Sequence, residues 1–219
     1  MNLLAIETAT RFCSVVLESG GQRLRRAAEG TRTHAEVLLP WIGELLAEAG
    51  LDHADLDAVA VDRGPGGFTS LRIGLGVAQG IALAHDLPCH PVSSLAALAQ
   101  RARPAGYAGA MLTATDARMG EVYTATWELR PGEPPCLLGC EQLLAPDAVR
   151  PPDAPEFIAA GDAFDIHRET LPSDLLTHVS QVLPDHWPDA DAIATLGRQT
   201  AAVPAHRLEP VYLRDRVTG

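Results

Sequence analysis

Short apolar runs separated by turns open the chain. Their spacing predicts strands over Asn2–Glu7, Phe12–Glu18 and Gln22–Ala28, joined at Thr8–Arg11 and Ser19–Gly21 as an antiparallel meander. The period then changes. From His34 to Ala49, Leu38, Trp41, Ile42, Leu45 and Leu46 fall on one stripe with Glu36, Glu44 and Glu48 opposite, which predicts a helix with Thr33 as its N-cap and Gly50 as its stop. Asp57–Val61 reads as a buried strand, followed by a glycine-rich turn at Gly64–Gly67 and a helix running to about His85, with Thr69 or Ser70 as candidate caps. Between Leu71 and Ala84 only Arg72 and Gln79 are polar, so that helix is apolar all round. A strand at Leu87–Val92 and a helix at Leu95–Arg103, capped by Ser93 or Ser94, complete the first half.

Arg103-Pro104-Ala105-Gly106 punctuates the pattern. Beyond it, strands are expected at Ala108–Thr115 and Glu121–Leu129 around a turn at Asp116–Gly120, with an edge strand at Cys136–Gln142. A proline-rich loop spans Pro146–Pro155, a short strand Phe157–Ala160, and a helix about Asp189–Ala202. Three antiparallel strands followed by alternating helices and strands is the pattern of an RNase H-like half-domain. The expected fold class is therefore α/β, an actin-like (ASKHA, RNase H-like) fold of two half-domains with the second shortened. The first would cover 1–103 and the second 104–204, with the tail 205–219 packing back on the first.

Composition narrows the function. The 219 residues carry a formal net charge of −11 and contain no lysine, which argues against this chain gripping a nucleic-acid backbone by itself. Mean hydropathy is +0.04, and the longest apolar stretch falls short of the roughly 20 residues a membrane span needs. Met1–Glu7 lacks the basic start and apolar core of a secretory leader, which leads us to expect a cytoplasmic protein. Cys13, Cys89, Cys136 and Cys140 have neither metal-ligand nor disulfide-framework spacing and read as reduced thiols; the eight histidines are scattered. Neither a metal nor a cofactor is expected.

Two features admit a sharper reading. Gly64, Gly66 and Gly67 precede a helix, where free N–H groups attract anions; the loop is either a phosphate cradle or a tight connection without a ligand. On the helix that follows, Gly76, Gly80 and Ala84 recur every fourth residue as a smooth ridge, fitting either a core helix or one shared with a partner chain.

The motifs Leu4-Ala5-Ile6-Glu7-Thr8-Ala9-Thr10, Arg63-Gly64-Pro65-Gly66-Gly67-Phe68-Thr69-Ser70-Leu71-Arg72-Ile73-Gly74, Val92-Ser93-Ser94-Leu95, Asp116-Ala117-Arg118-Met119-Gly120-Glu121-Val122-Tyr123 and Pro210-Val211-Tyr212-Leu213-Arg214, with His34 opening the first helix, resemble the TsaB (YeaZ) family of bacterial tRNA threonylcarbamoyladenosine biosynthesis proteins nearly end to end. Gly67, Ser70 and Asp62 depart from its usual serine, glycine and glycine. The resemblance implies a non-catalytic relative of TsaD, the subunit that transfers threonylcarbamoyl to the adenosine beside the anticodon. TsaD-type proteins hold a metal with a His-x-x-x-His motif; Ser94 and Leu98 stand at those places here, and neither side chain replaces an imidazole ligand. The resemblance further implies docking to TsaD, or to a second copy, through the first two long helices. Trp41, Leu45, Ile73, Gly76, Val77, Gly80 and Ala84 are then the interface candidates, TsaE with ATP joins the pair, and tRNA is met only indirectly. His34 and Glu7 have structural readings beside any functional one, as has the Asp116–Glu121 turn: an internal arginine–carboxylate contact, or a contact with a partner. The competing function is an actin-type ATP-dependent phosphotransferase or ATPase using Glu7 and Asp116 as its metal-binding acids; a peptidase finds no zinc pair or dyad.

Overall fold

The computed structural model describes residues 1–30 and 34–214; the expected cap Thr33 and the end of the tail lie outside the described residues. By contact the chain divides into Met1–Ala97 with Pro188–Val211, and Leu98–Trp187 with the described residues from Tyr212 onward.

The first unit is built on a six-stranded sheet. Strands β1 (Leu3–Glu7), β2 (Phe12–Ser19) and β3 (Gln22–Glu29) form the expected meander. After helix α1 (His34–Ala49), β4 (Ala58–Asp62) pairs parallel with β1, and after α2 (Phe68–His85), β5 (Pro88–Val92) pairs parallel with β4. The short β11 (Val203–Pro204) closes the edge in the order β11-β5-β4-β1-β2-β3. Every residue of β1 and β4 is buried because both faces are covered. Leu4, Ile6, Val59 and Val61 pack with α1 and α2, whereas Leu3, Ala5, Ala58 and Ala60 pack with Ala190, Ile193 and Ala194.

Those last residues belong to α6 (Ala190–Gly197), and they correct an expectation. The sequence pattern places a helix over about 189–202 in the 104–204 half; the helix is shorter and lies on the first sheet. Its alanines and Gly197 allow the approach, since a Cβ on Gly197 would lie 2.6 Å from Ala60 Cβ. Asp189 caps it, accepting from Ala192 N–H at 2.9 Å. Likewise α2 starts one residue before the proposed caps, with Gly67 at the N-cap; Ser70 lies inside the helix and its Oγ donates to Gly67 O at 3.1 Å.

Helix α3 (Ser94–Ala102) is capped by Ser93, whose Oγ accepts from Ala96 N–H. The second unit has strands β6 (Gly109–Asp116), β7 (Val122–Leu129), β8 (Cys136–Leu144), β9 (Phe157–Ala160) and β10 (Val179–Leu183), with the short helices α4 (Ala163–Ile166) and α5 (Ser173–Thr177) between the last two. Its order, β10-β9-β6-β7-β8, repeats three antiparallel strands followed by two parallel ones. Both sheets thus have the RNase H-like arrangement, and the protein has the α/β, actin-like fold. Neither β10 nor the two short helices was anticipated: Val179–Leu183 is a half-exposed run of five without a clear period. Among the described residues no helix is long and apolar enough to cross a membrane.

Candidate functional site

Parallel strands β1 and β4 run in register, Ile6 beside Val61, so Glu7 and Asp62 arrive together at the carboxyl edge of the sheet. Open α/β sheets bind their ligands at such edges. Both acids are fully buried. Glu7 Oε1 accepts from Ala9 N–H at 2.8 Å and Asp62 Oδ1 from Thr8 N–H at 2.9 Å. Glu7 Oε2, Asp62 Oδ2 and Thr8 Oγ1 are buried with no hydrogen-bond partner among the described residues. Burial, then the neighbouring Asp62 charge, pushes the Glu7 carboxyl well above its ordinary range. Burial also raises Asp62, to about 7, against the pull of its backbone N–H bonds.

The glycine loop closes over this edge. A Cβ on Gly66 would lie 2.4 Å from Ala9 O, and the Gly67 N–H donates to that same oxygen at 2.7 Å. Gly64, at φ +94°, faces Leu71 and Val211 O, while Val211 N–H donates to Arg63 O at 2.8 Å. Close backbone approach thus accounts for Gly66 and the left-handed φ for Gly64, whereas a Cβ on Gly67 would meet Ser70 Oγ at 2.7 Å; the Gly67 amide at the start of α2 is occupied by Ala9 O. Ser94 and Leu98 are both buried, without an imidazole at either place. Among the described residues no group of three or more histidine, cysteine or acidic side chains is placed to hold a metal. His34 is buried with Nε2 3.0 Å from Phe12 O, a packing role.

The outward face of α2 is the second feature. Leu71, Leu75, Ala78 and Ala82 point into the core, so Ile73, Gly76, Val77, Gly80 and Ala84 come to the opposite face and line a shallow groove of about 540 Å³. Leu39 of α1 borders it, 56% exposed, and Leu83 nearby is 63% exposed. A Cβ on Gly76 or Gly80 would meet nothing within 4 Å, so no packing among the described residues accounts for either glycine. Arg72, over the Phe68 ring at 3.6 Å, and the stacked His53 and His85 form its polar rim. Trp41 is half-buried against the core. Leu45 corrects an expectation: at 0% exposure it faces the sheet and cannot anchor a partner. Its place on the apolar stripe of α1 already put it inward; Leu39, just off that stripe, is the exposed residue.

In the second unit the turn after β6 carries consecutive positive φ angles at Arg118 (63°), Met119 (57°) and Gly120 (74°). Asp116 Oδ1 accepts from Arg118 N–H at 3.2 Å, its Oδ2 lies 3.2 Å from the Arg118 guanidinium, and His167 Nε2 is 3.0 Å from Oδ1. Arg214 clamps the other side, donating to Ala117 O at 3.1 Å and to Glu121 Oε2 at 2.5 Å. Two motifs almost a hundred residues apart in sequence thus build one turn. The internal arginine–carboxylate contact is present, and the tail arginine within it was not foreseen. Met119 stays 66% exposed at the tip.

A family model described as "TsaD: tRNA N6-adenosine threonylcarbamoyltransferase" matches residues 27–215. The chain is 35% identical to the tRNA threonylcarbamoyladenosine biosynthesis protein TsaB of Escherichia coli K12, over 99% of this chain and 96% of that protein. It is 46% identical to TsaB of Haemophilus influenzae over 56% of this chain, spanning about half (52%) of that relative. The solved structure of YeaZ from Pseudomonas aeruginosa superimposes with a TM-score of 0.88 at 38% identity, covering 97% of this chain and 99% of that one.

Proposed function

Because the chain belongs to the TsaB (YeaZ) family of tRNA threonylcarbamoyladenosine biosynthesis proteins, we propose that it serves that modification as a non-catalytic scaffold subunit. It binds TsaD through the α2 groove, and the pair recruits TsaE with its ATP. The observation that carries this reading is the apolar groove itself: a small-residue notch at Gly76 and Gly80, bordered by Leu39, on a helix whose other face is already in the core. Burying such a notch under a facing helix allows close backbone approach and removes apolar area from water. Ile73, Val77 and Ala84 extend the contact, and the half-buried Trp41 of α1 is a further anchor for the partner.

The non-catalytic half of the reading rests on chemistry. Ser94 and Leu98 supply no metal ligand in place of the paired histidines of TsaD-type proteins. The phosphotransferase alternative is disfavoured because Glu7 lies closed beneath the glycine loop and Asp116 is engaged by His167 and Arg118. The −11 net charge leaves the grip on tRNA to the partner.

Reconstitution tests this. The chain is mixed with TsaD, TsaE, ATP, tRNA and threonylcarbamoyl-adenylate, and modified adenosine is counted over several turnovers. The expected result is modification that depends on this chain, while the chain alone modifies nothing and hydrolyses no ATP. Equal modification without it overturns the scaffold role. ATP hydrolysis by the chain alone, lost on Glu7→Gln, favours the phosphotransferase.

A further inference from the structure

The groove on α2 carries charge of one kind. Its lining includes Arg72, His53 and His85 and, among the described residues, no acidic side chain, although the chain holds 28 acidic residues against 17 basic ones. The two ends of the groove differ. Phe68, Arg72, Gly76, Gly80 and Ala84 recur every fourth residue, so the ridge runs from an aromatic–arginine pair through two glycines to a small residue. At the far end His53 and His85 stack, with the exposed Asp52, Asp55 and Asp86 flanking them in sequence. The cationic end is therefore the Phe68–Arg72 end.

The Arg72 side chain is placed before any partner arrives. Its guanidinium carbon lies 3.6 Å from the centroid of the Phe68 ring, one turn earlier on the helix, and that ring is itself 42% exposed. Stacking restricts a long side chain in advance and so lowers the ordering cost of a later contact. The ring meets only the flat face of the guanidinium. The five N–H donors lie in its plane and need oxygen acceptors, a need that solvent shares in meeting while the groove is open. A helix laid into the Gly76–Gly80 notch also displaces water from Arg72, because Arg72 lines the same groove. A guanidinium taken out of water is costly without a carboxylate; with one it makes a charge-assisted, two-pronged contact.

We propose that the helix docking in this groove carries a carboxylate matched to Arg72, and that this pair sets both which helix docks and which way it runs. The inference rests on the docking function proposed above and adds the partner's chemistry to it. The notch is centred midway between Gly76 and Gly80, about six residues past Arg72, or about 9 Å along α2. Arg72 leans back over Phe68, which adds up to about one turn. The acid therefore belongs about two to three turns from the residue that fills the notch, on the end of the partner helix lying over Phe68. The reverse orientation brings the acid to the His53–His85 end, where Asp52, Asp55 and Asp86 repel it.

The experiment titrates whole TsaD with the whole chain by calorimetry. Arg72→Gln should weaken binding about tenfold and Arg72→Glu about a hundredfold. Both variants should melt within a few degrees of the wild type, because Arg72 is exposed. Arg72→Lys should recover only part of the loss, since an ammonium keeps the charge but lacks the planar fork. Raising sodium chloride from about 50 mM to about 500 mM should weaken wild-type binding more than that of Arg72→Gln. Exchanging the exposed acids of TsaD for arginine, one at a time, should find one exchange that restores binding to Arg72→Glu and impairs it with the wild type. If Arg72→Glu does not fold, Arg72→Gln and the salt series carry the same comparison. Wild-type affinity in a folded Arg72→Glu variant, with binding lost in Gly80→Leu, overturns the charge match and leaves the docking standing. Wild-type affinity in both overturns the docking reading itself. A loss in Arg72→Glu that no exchange in TsaD relieves also overturns the match. So does a loss of self-association in sedimentation with TsaD affinity unchanged, which gives the groove to a second copy.

Discussion

Glycine serves two different ends in this chain, and single substitutions separate them. At Gly66 the neighbouring turn leaves no room for a side chain: a Cβ would lie 2.4 Å from Ala9 O and 2.7 Å from Ala9 Cβ. Gly66→Ala should therefore lower stability by about 1–3 kcal/mol, read from denaturant unfolding with an unchanged slope. At Gly76 the space is open and the backbone is helical, so Gly76→Ala should raise stability by about 0.5–1 kcal/mol in the same assay. Opposite signs would confirm that the loop glycines are required by the fold, while the ridge glycine is retained at a cost to it. The glycines themselves were visible in the sequence, but the packing that distinguishes them was not, because Ala9 is more than fifty residues from Gly66 along the chain and meets it only across the sheet.

Helix α2 is the element on which the proposed docking turns. Its sequence is apolar all round, which left open whether it was a core helix or a shared one. The fold shows where its faces lie: one half enters the core with Leu71, Leu75 and Ala78, and the other lines the groove with exposed Gly76, Gly80 and Ala84 and half-buried Ile73 and Val77. Filling that notch should separate folding from docking. Gly80→Leu should keep the melting temperature within a few degrees, since nothing lies within 4 Å of the added Cβ, and should weaken TsaD binding by at least about tenfold in calorimetric titration. Undiminished binding by a folded Gly80→Leu variant would move the interface elsewhere. Leu45 shows the limit of stripe reading: a residue on the apolar face of an amphipathic helix is chosen by the core before any partner can use it.

At the scale of the molecule, charge and topology decide. With −11 net charge and no lysine, the chain alone should show no saturable tRNA binding below about 0.1 mM even at low salt, measured by fluorescence anisotropy. Binding that appears only after TsaD is added is the expected behaviour of a scaffold. Tight binding by the chain alone would place tRNA contacts on this subunit. The two sheets repeat one strand order although their residues show no clear repeat, which is possible because the order is imposed by hairpins and right-handed crossovers rather than by particular side chains.

Local pattern by itself determined the meander, the two long helices, the glycine turn and the family motifs, because strand and helix periods, turn residues and caps are written over a few neighbouring positions. Only the tertiary structure decided what depends on distant segments meeting. It placed α6 on the first sheet, where its small residues allow contact closer than any sequence period reveals. It brought Arg214 to the Asp116–Glu121 turn. It also set Glu7 beside Asp62, two ordinary acids in sequence whose unusual chemistry arises because parallel strands in register end together and a glycine loop closes water out.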